Sequence, residues 1–223
     1  MNERIKKLTD KTIAGEMYVY PVKTEYDRCD LFLSPKRMSG KRVCEYIRNQ
    51  EPLILEESCF TGLIKFDDSV EGDIFNRPGH KNFGIACKNF YNNPVDNLRT
   101  FEWQHSAGDF GKIIRIGING IREEIKSSVS VHKNDPEALE FLEIQSDICD
   151  AIVDWAHKCS EKAHLLAEKT ENAEYKRNLD RLSASLMHIP ENSARSFYEA
   201  VLSLYVCYGF LPDSIGLIDR YLY

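Results

Sequence analysis

Residues 196–223 read SFYEAVLSLYVCYGFLPDSIGLIDRYLY, and this stretch decides how the rest of the chain is interpreted. Apolar residues recur at helical spacing in its first half, which predicts a final helix over 194–208. In its second half Gly216 allows a close backbone approach, and the Asp219 carboxylate is a hydrogen-bond acceptor. Large aromatic and aliphatic residues close the stretch, and they need a core to receive them. The stretch is therefore expected to belong to a packed fold.

The composition is that of a globular protein large enough to bury a core. The 223 residues are 43% apolar and 29% charged, and the formal net charge is -6. An acidic balance with interspersed charges argues against a nucleic-acid surface. No segment approaches the roughly 18 consecutive apolar residues of a membrane span, and the first residues, MNERIKK, lack the apolar run of a signal peptide. The sequence predicts a cytoplasmic protein with no nucleic-acid or membrane partner.

Seven cysteines are spread along the chain. None forms the Cys-x-x-Cys spacing of a metal site or a redox disulfide. Free cysteines usually behave as small apolar side chains, so most of them are expected in the core.

The clearest helical pattern lies in residues 134–223. Asp135 is placed to cap a helix whose first position is Pro136, because its carboxylate can accept from free N–H groups. This helix is predicted over 136–169. Apolar residues recur in it at steps of three and four, so one face should be buried for five turns. The members of that face are Ile148, Ile152, Trp155, Cys159, Ala163 and Leu166.

A tight turn at 171–175 is predicted to close a helical hairpin. The second helix should run to Met187, with an inward face of leucines at 179, 182 and 186. Asn192 or Ser193 is expected to cap the final helix. Trp155 and Phe197 are both expected to be buried.

The chain before this hairpin, residues 1–133, is a mixture of helix and loop. Short helices are predicted over 2–13 and 41–49, and a buried turn-and-strand element over 53–64. Gly, Pro and Asn concentrate in 67–94, which favours a long loop.

A further helix is predicted over 105–128. Its apolar residues cover more than one face, so burial on two sides is expected. Gly117 and Gly120 each cost about 1 kcal/mol in a helix relative to alanine, which points to close backbone packing at both.

The sequence resembles the glycyl radical enzymes, the pyruvate formate-lyase-like family. The family signature Gly-Arg-x-Asp-Gln-Tyr-Leu-Tyr is similar to 216–223, with Leu217 and Arg220 at its Arg and Gln positions. The family's "Pro-Gly-His", "Asp-Tyr", "Gly-x-x-Gly", "Pro-x-x-x-Ala" and "Phe-x-Glu-Ala" elements are matched in the same order by 101–105, Asp109-Phe110, Gly117 to Gly120, Pro190 to Ala194 and Phe197 to Ala200.

The resemblance implies a mainly α chain: the helical N-terminal portion of a ten-stranded α/β barrel, with the barrel largely missing from these residues. In that family a cysteine oxidised to a thiyl abstracts hydrogen from a small substrate. A glycyl radical, installed by an S-adenosylmethionine activase, serves as the reservoir. Neither a Gly-Cys loop tip nor the Arg-Val-x-Gly-Tyr radical motif occurs in the 223 residues. No catalytic residue, metal ligand or cofactor of its own is therefore expected in this chain.

By the same resemblance, the chain is expected to be a fragment or subunit of an enzyme acting on a small oxygenated metabolite. The parent reaction would be that of a formate C-acetyltransferase or of a dehydratase, and the chain would be inactive alone. Its implied partners are the activase and either a second copy or a separate chain that supplies the barrel. The alternative is a stand-alone helical interaction or scaffold protein.

Three residues are implied by the resemblance as substrate-binding. His105 matches the substrate-contacting His of the "Gly-His" element, although Gln104 replaces its Gly. Asp213 lies near a polar pocket position, and Asp219 matches the signature Asp. Structural roles stand beside these assignments: His105 as a backbone-bonded residue at a helix start, and Asp219 as a cap or an ion-pair partner of Arg220.

Overall fold

The computed structural model of the protein describes residues 2–14, 18–19, 29, 32–61, 63–64 and 109–208. In these residues the fold is mainly helical, as predicted. No helix among them is both long and apolar enough to cross a lipid bilayer. The elements, in chain order, are α1 (Glu3–Ile13), β1 (Tyr18–Val19), α2 (Pro35–Arg48), β2 (Leu63–Ile64), α3 (Phe110–Val131), α4 (Pro136–Lys169), α5 (Ala173–Leu186) and α6 (Phe197–Tyr208).

Helices α4 and α5 form the predicted hairpin, and both begin at a capping side chain. The Asp135 carboxylate accepts from the N–H groups of Glu137 and Ala138, at 3.1 Å each. Pro136 takes the first helical position, where no N–H is needed. Asn172 caps α5 in the same way. The connection is so short that the two helices must be antiparallel neighbours.

A single large core joins α2, α4, α5 and α6. Trp155 is 4% exposed, and the three inward leucines of α5 are no more than 2% exposed. Small residues allow α4 and α5 to approach closely, and there the Ser160 hydroxyl donates to the Ser183 carbonyl at 2.8 Å. The buried members of this core are Cys44, Tyr46, Ile47, Ala151, Trp155, Ala156, Cys159, Ala163, Ala167, Leu179, Leu182, Leu186, Ile189, Leu202 and Val206.

Helix α2 lies parallel to α4 and starts earlier than predicted. It begins at Pro35, because the Ser34 hydroxyl accepts from the Arg37 N–H and caps the first turn. Gly40 brings the helices together, since a Cβ at that position would collide with the side chain of Ile144. Residue numbers rise together on the two helices along a series of ion pairs, which shows that the helices are parallel. The pairs are Lys36 with Glu137, Arg37 with Glu143 and Asp147, and Arg48 with Asp154.

The two short strands pair in parallel, with Tyr18 opposite Leu63 and Val19 opposite Ile64. An antiparallel bridge joins Ile54 to Thr61, whose side chain is 1% exposed. The predicted turn-and-strand element over 53–64 is therefore confirmed where the structure describes it.

Three expectations for α6 are wrong. The helix starts at Phe197, three residues later than predicted, and the Ser196 hydroxyl, not Asn192 or Ser193, accepts the N–H of Glu199. Phe197 is 72% exposed, so it is not part of the core. Leu202 of the same helix is fully buried instead.

The first helix exists as predicted, but its contacts are mainly polar. Ile5 and Ile13 are 54% and 81% exposed. The Arg4 guanidinium donates to the Glu57 carbonyl at 2.9 Å, and Lys11 donates to the Glu57 carboxylate at 2.6 Å. Charge pairing to the turn at 56–59, and not an apolar stripe, holds α1 in place.

Four of the seven cysteines are buried, namely those at 44, 149, 159 and 207. Burial raises the pKa of the Cys44 thiol to about 11 and that of Cys207 to about 12. It raises the pKa of Cys149 and Cys159 in the same direction. These thiols stay protonated at neutral pH and act as small apolar side chains, as predicted. Cys87 lies outside the described residues.

Candidate functional site

The three residues implied as substrate-binding, His105, Asp213 and Asp219, all lie outside the described part of the chain. The structure does describe the helices that flank them. Helix α3 begins five residues after His105, and α6 ends five residues before Asp213. These two helix ends are the described parts of the chain that lie next to the candidate residues in sequence.

The start of α3 packs against the end of α6. Asp109 caps α3 by accepting from the Lys112 N–H at 2.9 Å. The next residue, Phe110, is 2% exposed and forms one apolar cluster with Leu204 and Cys207 of α6. The chain thus enters α3 and leaves α6 at the same place in the bundle, although about 100 residues separate the two points.

Helix α3 is broken at Gly117, and the segment 190–194 fills the break. Gly117 has φ 64° and ψ -178°, a conformation that L side chains rarely adopt. A Cβ on it would lie 2.5 Å from the carbonyl carbon of Asn192 and 2.6 Å from the Glu191 oxygen. The predicted close packing at Gly117 is confirmed, but it comes with a change of helix direction that the sequence pattern did not indicate.

The same break explains why residue 120 is a glycine. A Cβ there would collide with the side chain of Ile116, across the interruption. The two glycines therefore make a single feature of the fold.

The Arg122 side chain connects the second half of α3 to its surroundings. Its guanidinium donates to Asn119 Oδ1 at 2.8 Å and to Asp150 Oδ1 of α4 at 2.5 Å. It also lies 3.5 Å from the Glu191 carboxylate, and His157 Nε2 lies 3.6 Å from the other oxygen of Glu191. Three elements thus meet in one polar cluster.

The beginning of α6 is fixed by a buried carboxylate. Glu199 is 5% exposed and accepts from the Arg195 N–H at 2.8 Å and from its guanidinium at 2.6 Å. Hydrogen bonding to Arg195 lowers the pKa of Glu199, because it favours the charged form. Glu199 therefore acts as a structural anion that holds the first turn of α6.

An aromatic contact fixes the other side of α6. The Tyr198 hydroxyl donates to the Cys59 carbonyl at 2.7 Å, and its ring is stacked on Phe60. The Arg181 guanidinium lies 4.0 Å from the centre of the same ring. Burial raises the pKa of Tyr198 to about 12, so its hydroxyl remains a donor at neutral pH.

Sequence reasoning missed most of this cluster. Asn119, Arg122 and Glu191 are polar residues on a helix or in a turn, and such residues usually face solvent. The sequence predicts the segment 190–194 as a cap for α6 and as a match to the family, but not as a partner of α3. The one local signal was Gly117 within an apolar run, which indicated that another part of the backbone comes close.

The described residues hold no ready metal site, since no group of three or more His, Cys, Asp or Glu side chains among them converges on one point. Two cavities lie elsewhere, and no residue of α3 or α6 lines them. One, of about 540 Å³, lies beside α2 and includes Arg37, Cys44 and Arg48; the other, of about 250 Å³, lies between α1 and the start of α5.

Comparison with known proteins gives both a family and a fold. Residues 94–222 match the family described as pyruvate formate lyase-like. The isethionate sulfite-lyase of Bilophila wadsworthia is 30% identical over 155 residues, which are 63% of this chain but 18% of that enzyme. The chain thus spans less than a fifth of the length of this relative.

Solved structures are similar to this chain in fold. A protein of 1,2-propanediol dehydration from Roseburia inulinivorans superposes with a TM-score of 0.73 at 19% identity, covering 100% of this chain and 36% of that one. A glycyl radical enzyme from Archaeoglobus fulgidus gives a TM-score of 0.63 at 16% identity, covering 99% and 34%. With the family match over more than half of its residues, the chain belongs to the pyruvate formate lyase-like family of glycyl radical enzymes.

Proposed function

We propose that this chain is the N-terminal portion of a cytoplasmic glycyl radical enzyme that eliminates a group from a small oxygenated metabolite. The observation that carries the proposal is the meeting of the α3 start and the α6 end at Phe110, Leu204 and Cys207. The segment with His105 joins α3 at this contact, and the segment with Asp213 and Asp219 leaves α6 at the same contact. The matches to a sulfite-lyase and to a protein of diol dehydration favour elimination over formate transfer.

The chain lengths make a joint role of His105 and Asp213 feasible. An extended chain spans at most about 3.6 Å per residue, so His105 lies within roughly 14 Å of Asp109 and Asp213 within roughly 18 Å of Tyr208. An imidazole and a carboxylate at these positions would hydrogen-bond substrate hydroxyl groups and so contribute to substrate affinity. Asp219 lies further along the same segment, where its carboxylate would orient the signature or bind substrate.

The radical chemistry itself would come from outside these residues. A thiyl would abstract the hydrogen, and a glycyl radical installed by an S-adenosylmethionine activase would store the unpaired electron. No cysteine of the sequence follows a glycine, so the Gly-Cys tip of the family does not occur in these 223 residues. The barrel would be supplied by further residues of the same polypeptide or by a partner chain.

The first test is radical installation. The purified 223-residue chain, treated anaerobically with the activase and S-adenosylmethionine, should give no glycyl electron paramagnetic resonance signal. It should turn over neither isethionate nor 1,2-propanediol, nor pyruvate with coenzyme A. A backbone radical on Gly117, Gly120 or Gly216 would contradict the proposal.

The second test uses the coding DNA on both sides of the 223 codons. We expect a continuation that encodes Pro-Tyr, a Gly-Cys tip and the radical motif. In that longer enzyme, His105→Ala should lower kcat/KM by roughly 10 to 100-fold, the loss of about one hydrogen bond to substrate. The control is Phe197→Ala, at an exposed position outside the proposed site. If neither a continuation nor a partner chain with these motifs exists, the stand-alone interaction protein becomes the better reading.

A further inference from the structure

The segment 190–194 replaces the hydrogen bonds that the break in α3 removes. A helix N-terminus leaves N–H groups without partners, and a helix C-terminus leaves carbonyls without partners. Here the Ile118 N–H donates to the Pro190 carbonyl at 2.8 Å, and the Asn119 N–H donates to the Glu191 carbonyl at 2.8 Å. On the other side of the break, the Ala194 N–H donates to the Ile114 carbonyl at 3.0 Å.

The inserted segment is itself held rigidly. The Asn192 side chain donates to the His188 carbonyl at 3.0 Å and accepts from the Asn119 side chain at 3.1 Å. Ile189, just before the segment, is fully buried in the main core. The segment is therefore anchored in the α4–α5 core and holds both halves of α3 relative to that core.

Side-chain charges reinforce the same contact. Glu191 faces Arg122 from α3 and His157 from α4, and Arg122 is also bound to Asp150. The first half of α3, residues 110–116, lies between this contact and the Phe110 cluster with α6. Its position is thus determined at both ends.

We infer that segment 190–194 is a positioning element that fixes residues 110–116 of α3 relative to α6. The chain enters α3 at Asp109. Fixing residues 110–116 therefore also fixes the point, next to the end of α6, at which the preceding segment joins α3. Its consequence for catalysis rests on the proposed function. Asn192 and Gly117 are positioning residues in this sense.

The first experiment measures amide hydrogen exchange in the 223-residue chain. In Gly117→Ala, the exchange rates of the Ile118, Asn119 and Ala194 amides should increase relative to the unmodified chain. This increase should be at least tenfold larger than the average increase at the other protected amides. Asn192→Ala, which removes only the side-chain bonds, serves if Gly117→Ala does not fold. The matched control is Ile47→Ala in α2, which should lower protection evenly across the core. An even loss in the Gly117 or Asn192 variant would overturn the inference.

The second experiment uses the enzyme that contains this chain and separates positioning from folding. In Asn192→Ala, KM should rise about tenfold while kcat and the radical yield per subunit change less than twofold. A displaced binding segment weakens ground-state and transition-state binding together, which raises KM. A fall in kcat at unchanged KM would mean a smaller folded fraction and would overturn the inference. Loss of local protection with unchanged kinetics would overturn it as well, whereas an enzyme inactive before mutation would count against the proposed function alone.

Discussion

Two aromatic residues that the sequence pattern treats alike have opposite surroundings. Trp155 is 4% exposed in the main core, and Phe197 is 72% exposed at the start of α6. Trp155→Ala should lower the free energy of unfolding by about 3 to 5 kcal/mol, because it removes a large buried side chain and leaves a cavity. The midpoint of urea unfolding measures this loss.

Phe197→Ala is the matched control at the other extreme of burial. Because the Phe197 side chain is exposed, its truncation removes little buried surface and should change stability by no more than about 0.5 kcal/mol. Equal losses in both variants would mean that the core is not organised around Trp155.

At the scale of single residues, the sequence predicted the features that depend only on nearby residues of the same helix. Asp135, Pro136 and the α5 leucines follow from helix geometry alone. The exposure of Phe197 does not, because it depends on which other elements cover the first turn of α6. The positive φ of Gly117 could not be predicted, since a glycine in an apolar run is compatible with an unbroken helix.

At the scale of elements, the cap of α4 is the feature with the most direct test. Asp135→Ala removes the acceptor of two N–H groups and should destabilise the protein by about 1 kcal/mol. Asp135→Asn keeps an acceptor oxygen and should lose much less. Thermal or urea unfolding compares the two, and equal losses would show that charge, and not capping, holds the helix start.

Helix boundaries were predictable where a capping residue and a proline mark them, as at α4. They were less predictable where the cap lies within a segment that reads as loop. Ser34 gave α2 six more residues than its apolar pattern indicated, and Ser196 shortened α6. The three candidate site residues stay predictions, because His105, Asp213 and Asp219 lie outside the described residues.

At the scale of the whole molecule, α2 and α6 should unfold together. Both contribute to one core through Ile47 and Leu202, which are 2% and 0% exposed. Native-state hydrogen exchange should therefore give the amides of these two residues the same free energy of opening, whereas the first turn of α1 should open more easily. If the free energy of opening of α2 were lower than that of α6 by more than about 1.4 kcal/mol, a factor of ten in the opening equilibrium, α2 would be a separate folding unit.

The parallel contact of α2 with α4 has a consequence for synthesis on the ribosome. Residues paired across it, such as Lys36 with Glu137 and Arg37 with Asp147, are 101 and 110 positions apart. At roughly 5 to 20 residues per second, α2 emerges some 5 to 20 s before its partner helix. Throughout that interval the face of α2 that carries Cys44 and Ile47 lacks the α4 surface on which it packs. The nascent chain is therefore expected to bind chaperones between the emergence of α2 and that of α4, and to be released when the second helix is complete.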